Sequence, residues 1–333
     1  MPELPELSSW PWIFAYLALG FALLAKGADW LVGGAAGVAR RLGISPLMVG
    51  LTIIAWGTSL PELMVTLTSL REGNSGAALG NVLGSNATNI ALVLGMSALV
   101  LPAVLHGRLL FREILWLLGS LLALWWVVAD FSVTRAESGA LFGLFLAYNL
   151  NLWLTRPSRP EGQTEEQRDR DRAGGGWRAW VAILCGIAAI QFGVHFAVSG
   201  ALAGAERLEV PGRIVGLTVL ALGTSLPELA AGLRSAFAGE SEISLGNVVG
   251  SNVFNSLAVL GVVGLIAPIS GAAPEGGVHP FAQMLEIDFP AVLGFSLGLV
   301  TLTLLSPRSG GRFKGFLLVA SWVAYTTWLC VSL

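Results

Sequence analysis

Residues 50–63 read GLTIIAWGTSLPEL and residues 216–229 read GLTVLALGTSLPEL. Each segment sets a hydroxyl pair and a carboxylate beside a proline, in the middle of an apolar run: Thr58, Ser59 and Glu62, then Thr224, Ser225 and Glu228. Pro61 and Pro227 remove a backbone donor and clash with the preceding turn, and Gly57 and Gly223 loosen it. Each helix is therefore expected to break, freeing carbonyls such as those of Ala55 and Ala221. Unwound backbone at membrane depth is tolerated only where it lines protein or a wet cavity. An ionised Glu there costs about several kcal/mol and needs a partner. No Lys or Arg stands at the same depth in the neighbouring apolar runs. The partner is then a cation or a proton.

A second pair of segments supplies neutral oxygens. Residues 79–95 read LGNVLGSNATNIALVLG and residues 245–261 read LGNVVGSNVFNSLAVLG. Gly80, Gly84, Gly246 and Gly250 permit close helix approach. Asn81, Ser85, Asn86 and Asn89, with Asn247, Ser251, Asn252 and Asn255, carry amides and hydroxyls. Ser85 and Asn89 are four apart, as are Ser251 and Asn255, so each pair shares a helical face. Two carboxylates with hydroxyl, amide and carbonyl oxygens suit hard cations such as Na+ and Ca2+, not zinc or copper. Two negative charges match one Ca2+ or two Na+. Plain interhelical hydrogen bonding is the competing role for the amides, most of all for Asn81, Asn86, Asn247 and Asn252, whose facing the spacing does not fix.

Both pairs of segments align without a gap at one offset of 166 residues, with 11 of 14 and 11 of 17 positions identical. The chain is a tandem repeat. The elements that carry it must lie in a bilayer. Of 333 residues 54% are hydrophobic and 12% charged, whereas soluble domains carry about a quarter charged. The net charge of −2 offers no basic field for nucleic acid. Cys185 and Cys330 match no metal or disulfide spacing and read as small buried hydrophobes.

A spanning helix needs about 20 apolar residues. Ten candidates follow: 10–39, 45–70, 75–102, 111–129, 136–154, 178–205, 211–237, 242–270, 286–305 and 311–332. No short apolar stretch with a cleavage site precedes the first, so a cleaved leader is not expected. Thr155 to Gly176 is rich in both charge signs and in Gly and reads as a solvated linker. The expected organisation is a first five-helix repeat (1–154), a cytoplasmic linker (155–177) and a second five-helix repeat (178–333). Five is odd, so the two repeats would cross the bilayer in opposite senses, with a site at the midplane between them. The expected fold is thus all-α and membrane-integral, with helices 2, 3, 7 and 8 broken. The loops after the odd-numbered spans hold fourteen Lys and Arg against four on the other side. That bias puts the linker in the cytoplasm and both termini outside, in a cell membrane.

The duplicated GTSLPE and GSNxxN segments resemble the alpha-repeats of the cation/calcium exchanger superfamily, most closely prokaryotic sodium/calcium exchangers. The resemblance runs from KGADWLVGGA at 26–35 through the tenth span. It implies alternating access by sliding of spans 1 and 6 against the other eight, with inward Na+ flow expelling Ca2+. It further implies Glu62 and Glu228 as the central pair shared by both ions. Thr58, Ser59, Ser85, Thr224, Ser225 and Ser251 would bind Na+, helped by the carbonyls of Ala55 and Ala221, and Asn89 would be a neutral equatorial ligand. Some relatives carry Asp where this chain has Asn255, so Asn255 is expected to line the site without carrying a proton. The transported ions are then Ca2+ and Na+, with no cofactor, no nucleic acid and no obligatory protein partner, only membrane lipid.

The alternative within the superfamily is exchange of Ca2+ or another cation for H+; the hydroxyls of Thr58, Ser59, Thr224 and Ser225 favour Na+. A channel would need weak sites in a row rather than one central site. A serine hydrolase needs an activating base, and His195, the one midspan histidine, has no counterpart in the first half. His195 reads as a packing residue, and Lys26 and Asp29, three apart, as a pair on one helix face.

Overall fold

The first apolar run folds as one helix, α1 (Trp10–Leu42), closed by Gly43 in the left-handed region at φ 64°, ψ 32°, whose N–H returns to the Ala39 carbonyl. At 33 residues it is about 50 Å long, more than the roughly 30 Å of a hydrocarbon core. Ser45 then caps α2 (Pro46–Thr58), accepting from the Met48 N–H at 3.2 Å, with Pro46 in the first turn where no donor is lost. After Ser59 the chain bends by 41° into α3 (Leu60–Arg71). Asn74 caps α4 (Ser75–Val100), accepting from the Ala77 N–H at 2.9 Å.

The computed structural model describes residues 9–105, 110–155, 176–210, 221–267, 269–270, 280–305 and 310–332. The remaining helices are α5 (Leu110–Val128), α6 (Arg135–Leu154), α7 (Trp177–Arg207), α8 (Ala221–Thr224) and α9 (Leu226–Phe237). They continue with α10 (Ser241–Ile266), α11 (280–305) and α12 (Gly311–Ser332). A reciprocal Thr134–Glu137 capping box starts α6. Two-residue strands, β1 (Ser132–Val133) and β2 (Ile269–Ser270), pair antiparallel and tie the chain before α6 to the chain after α10.

Six of the described helices are long and apolar enough to cross a membrane, seven if the bent α2–α3 pair counts as one span. The chain is a multi-pass, all-helical membrane protein. α5 and α6, of 19 and 20 residues, occupy the expected fourth and fifth spans. Residues 156–175 of the linker and 211–220 of the seventh span lie outside the described residues.

The breaks fall where the prolines are. Ser59 (φ −88°, ψ 11°) and Ser225 (φ −89°, ψ 3°) leave the helical region almost identically, one residue before each Leu-Pro. The expectation of breaks in the third and eighth spans is corrected. α4 and α10 contain no proline, so every N–H still has a carbonyl to reach, and each instead takes a π-helical stretch, at Asn89–Val93 and Phe254–Val259.

Two apolar cores hold the bundle. The larger runs through α4, α5, α6 and α10–α12, with Leu83, Ile90, Leu121, Tyr148, Val248 and Leu260 all buried. The smaller joins α1 and α7 to α2 and α9 through Leu24, Leu31, Ile183, Ile190, Ile54 and Ala231. At the centre of the α1–α7 crossing, Gly27 and Gly186 face each other. A Cβ on Gly186 would fall 2.6 Å from the Leu31 nitrogen and 2.8 Å from the Gly27 oxygen.

Three sequence expectations change on this frame. Asp29 does not pair with Lys26. It forms an ion pair with Arg234 of α9, because α9 packs on α1 and the long guanidinium reaches across, while the Lys26 ammonium lies 5.6 Å from the Trp30 ring. His195 is exposed, edge-on to Phe196, rather than packed inside. Cys185 is exposed and Cys330 half-buried rather than buried, since the outward face of a spanning helix meets lipid and is itself apolar.

Candidate functional site

Pro61 lacks the N–H that would reach four residues back, so the carbonyl it frees is that of Gly57. Gln191 of α7 takes it, its Nε2 donating at 3.3 Å. This corrects the expectation for Ala55. Its carbonyl keeps the Ser59 N–H at 3.0 Å, accepts the Thr58 hydroxyl at 3.3 Å and is approached by the Ser251 hydroxyl at 3.5 Å. In the second half the Ser225 N–H turns to Leu222 instead, at 3.1 Å; Ala221 opens the short helix before that break.

The helix break points α3 and α9 so that Glu62 and Glu228, each in the first turn of its helix, are both completely buried. Residues from opposite halves interleave around them. Ser59 donates to Glu228 Oε1 at 2.8 Å, and Ser251 reaches the same oxygen at 3.4 Å. This approach is possible because Gly250 lets α10 lie against α2: a Cβ there would stand 2.5 Å from the Leu51 oxygen.

Asn81 and Asn247 hold the acid-bearing helices from equivalent places. Asn81 donates to the Glu62 backbone oxygen at 3.1 Å and Asn247 to that of Glu228 at 3.4 Å. Thr58 also meets Asn247 Oδ1 at 3.2 Å. Asn86 donates to Ser256 at 2.9 Å, Asn89 to Asn252 at 3.2 Å and Asn255 to Ser85 at 3.4 Å. These bonds bring together Thr58, Ser59, Asn81, Ser85, Asn86, Asn89, Asn247, Ser251, Asn252 and Asn255 with the two acids, whereas among the described residues no side-chain bond ties in Ser225, which is buried, or Thr224, half-buried at the end of α8. Sequence reasoning missed Gln191, Ser256 and Thr66, the last accepting from Asn81 at 2.9 Å. None of the three lies in a position where the two halves match, so no repeat signal marks them.

What remains unpaired defines the chemistry. Among the described residues of the duplicated motifs, both oxygens of Glu62, Oε2 of Glu228, Oδ1 of Asn86, Asn89 and Asn255 and the hydroxyl of Ser225 are buried with no hydrogen-bond partner; outside the motifs the same holds for Ser97, Ser138, Tyr148 and Asn149. Buried polar atoms are almost always satisfied, and a buried lone carboxylate is strongly unfavourable. Six of the seven motif atoms are carboxylate or amide oxygens, which only accept. Oxygens of this kind are what a hard, oxygen-seeking cation takes as ligands. No cluster of three or more His, Cys, Asp or Glu occurs among the described residues, so a thiolate- or imidazole-preferring metal finds no such set there.

The family model described as sodium/calcium exchanger protein matches residues 12–154 and 178–331. The chain belongs to this family. Relatives match over most of its length. The putative antiporter CaxA of Alkalimonas amylolytica is 38% identical over 314 residues, covering 93% of this chain and 96% of that protein. Inner membrane protein YrbG of Escherichia coli (strain K12) is 33% identical, covering 95% and 97%. Sodium/calcium exchanger MaX1 of Methanosarcina acetivorans is 29% identical, covering 94% and 97%. Among solved structures, the sodium-calcium exchanger NCX_Mj superposes with a TM-score of 0.78 at 27% identity, covering 95% of this chain and 98% of that one.

Proposed function

We propose that the protein is a secondary-active antiporter that exchanges Na+ for Ca2+ across a cell membrane at the site between Glu62 and Glu228. The observation that carries this reading is the set of buried, unpartnered carboxylate and amide oxygens on Glu62, Glu228, Asn89 and Asn255. Ca2+ takes six to eight oxygens, and these four side chains supply the charged and equatorial part of that shell. Na+ carries half the charge and leans more on neutral oxygens, here Thr58, Ser59, Ser85, Thr224, Ser225 and Ser251, with the Ala221 carbonyl beside them. Two carboxylates balance one Ca2+ or two Na+, so occupancy by one ion excludes the other. This is the electrostatic basis of exchange, and it needs no catalytic step.

The architecture proposed for it is ten spans in two inverted five-helix repeats, 1–154 and 178–333, joined by a cytoplasmic linker, with both termini outside. The matching backbone angles at Ser59 and Ser225 and the matching Asn81 and Asn247 bonds support two equivalent halves. Opposed halves give a site at their interface that can face either side in turn.

Radiocalcium uptake into proteoliposomes, with Na+, K+ and pH gradients imposed in turn, tests the reading. Uptake driven by an outward Na+ gradient is the expected result. Uptake that follows a pH gradient and ignores Na+ would make the protein a cation/H+ exchanger instead. Ser59→Ala removes the 2.8 Å donor to Glu228. It should raise the half-saturating Na+ concentration about tenfold, as loss of a hydrogen bond to a charged group does, while the value for Ca2+ moves less. Titrating uptake against each ion on the same vesicles checks it.

A further inference from the structure

We infer that Asn252 and Ser85 are positioning residues that fix which way round the amides of Asn89 and Asn255 face the ion. The inference rests on the exchange reading for the identity of that ion.

An amide offers two donors at one end and an acceptor at the other, so an amide ligand works only if its oxygen faces the cation. What decides its direction is a neighbour that can act in one sense only. A backbone carbonyl is such a neighbour. The Asn86 carbonyl accepts from Asn252 Nδ2 at 3.4 Å. Asn252 must therefore turn its Oδ1 away, and that oxygen accepts from Asn89 Nδ2 at 3.2 Å. With its nitrogen engaged, Asn89 leaves Oδ1 buried, where no protein donor meets it.

The second relay has the same logic with different parts. Ser85 gives its single hydroxyl hydrogen to the Asn81 carbonyl at 2.5 Å. Its oxygen is left to accept, and it accepts from Asn255 Nδ2 at 3.4 Å. Asn255 Oδ1 is again buried and unpartnered. Each relay starts at a backbone carbonyl and ends at a buried, unpartnered amide oxygen. Each also crosses between α4 and α10, one helix from either half, so the amide ligands are aimed only when the two halves are in register.

The relays do not repeat at the offset of 166. Asn86, the counterpart of Asn252, donates to Ser256, and Ser251, the counterpart of Ser85, reaches Glu228. A carboxylate has no wrong way round. An aspartate at position 89 or 255 therefore needs no relay, whereas an asparagine does.

That difference supplies the experiment. Equilibrium radiocalcium binding is measured on the full chain in detergent for the wild type, Asn252→Ala, Asn89→Asp and the double variant, with the ion-free thermal midpoint as a control for folding. Asn252→Ala should weaken calcium binding about tenfold, the loss expected when an oriented ligand to a charge becomes free to turn. In the Asn89→Asp background, where Asn252 Oδ1 faces a carboxylate that cannot donate to it, the same substitution should not weaken binding, a non-additive cycle. Ser85→Ala with Asn255→Asp should behave alike. Equal losses in both backgrounds, or wild-type affinity in Asn252→Ala, would overturn the inference, since Asn252 would then act through packing or not at all. A wild-type protein that binds no calcium would overturn the exchange reading and take this inference with it, a result distinct from the other two.

Discussion

Glu62→Gln should abolish calcium exchange, by a hundredfold or more on the order-of-magnitude scale of a lost charged ligand, without unfolding the protein. The two acids differ in what holds them. Glu228 keeps Oε1 against Ser59 and Ser251, while both oxygens of Glu62 lack any donor among the described residues. A glutamine at 62 therefore breaks no hydrogen bond and removes a buried charge that only an ion compensates. In ion-free detergent its thermal midpoint should equal or exceed the wild-type value. Calcium at a hundred times its dissociation constant should stabilise the wild type by about 2.7 kcal/mol and the variant not at all. Glu228→Gln should lose exchange as fully but with a lower ion-free midpoint, because Ser59 and Ser251 then donate to a neutral amide oxygen in place of a carboxylate. Wild-type exchange in Glu62→Gln, or calcium stabilisation that survives it, would remove that residue from the site.

Gly186→Leu should be the most damaging substitution away from the ion site. The Gly186 Cβ position lies within 2.9 Å of three backbone atoms of α1: the Leu31 nitrogen, the Gly27 oxygen and the Leu31 Cα. Backbone cannot rotate aside as a side chain can, so α1 and α7 must part. Overpacking of this kind costs about 1–3 kcal/mol or more, and the smaller apolar core depends on that crossing. The expected readout is a thermal midpoint lowered by several degrees, with proportionate loss of folded protein on size-exclusion chromatography. Gly33→Leu serves as the control, since no atom lies within 4 Å of its Cβ position, and it should be close to neutral. A Gly186→Leu protein as stable as this control would mean that the helices do not meet so closely.

The chain itself determined where its helices break and what chemistry gathers there. Pro61 and Pro227 lack a donor in any environment, so the interruptions one residue before each Leu-Pro were legible, as was the need of two buried acids for a counter-charge. The absence of proline in 75–100 and 241–266 was equally readable, yet the glycines suggested unwinding where the backbone needed only a π-helical stretch. The near-identity of the repeats also concealed their inequality. Nothing in GTSLPE, which both halves share, says that Ser59 would serve Glu228 while Glu62 stays without a donor, or that Asp29 would choose Arg234 over Lys26. Those outcomes depend on which side chains from distant helices arrive within about 3 Å of one another, and hydrogen bonds and ion pairs fall off over that distance. Local sequence sets the donors, the acceptors and the kinks; only the packing of one half against the other decides which acceptors are left for an ion.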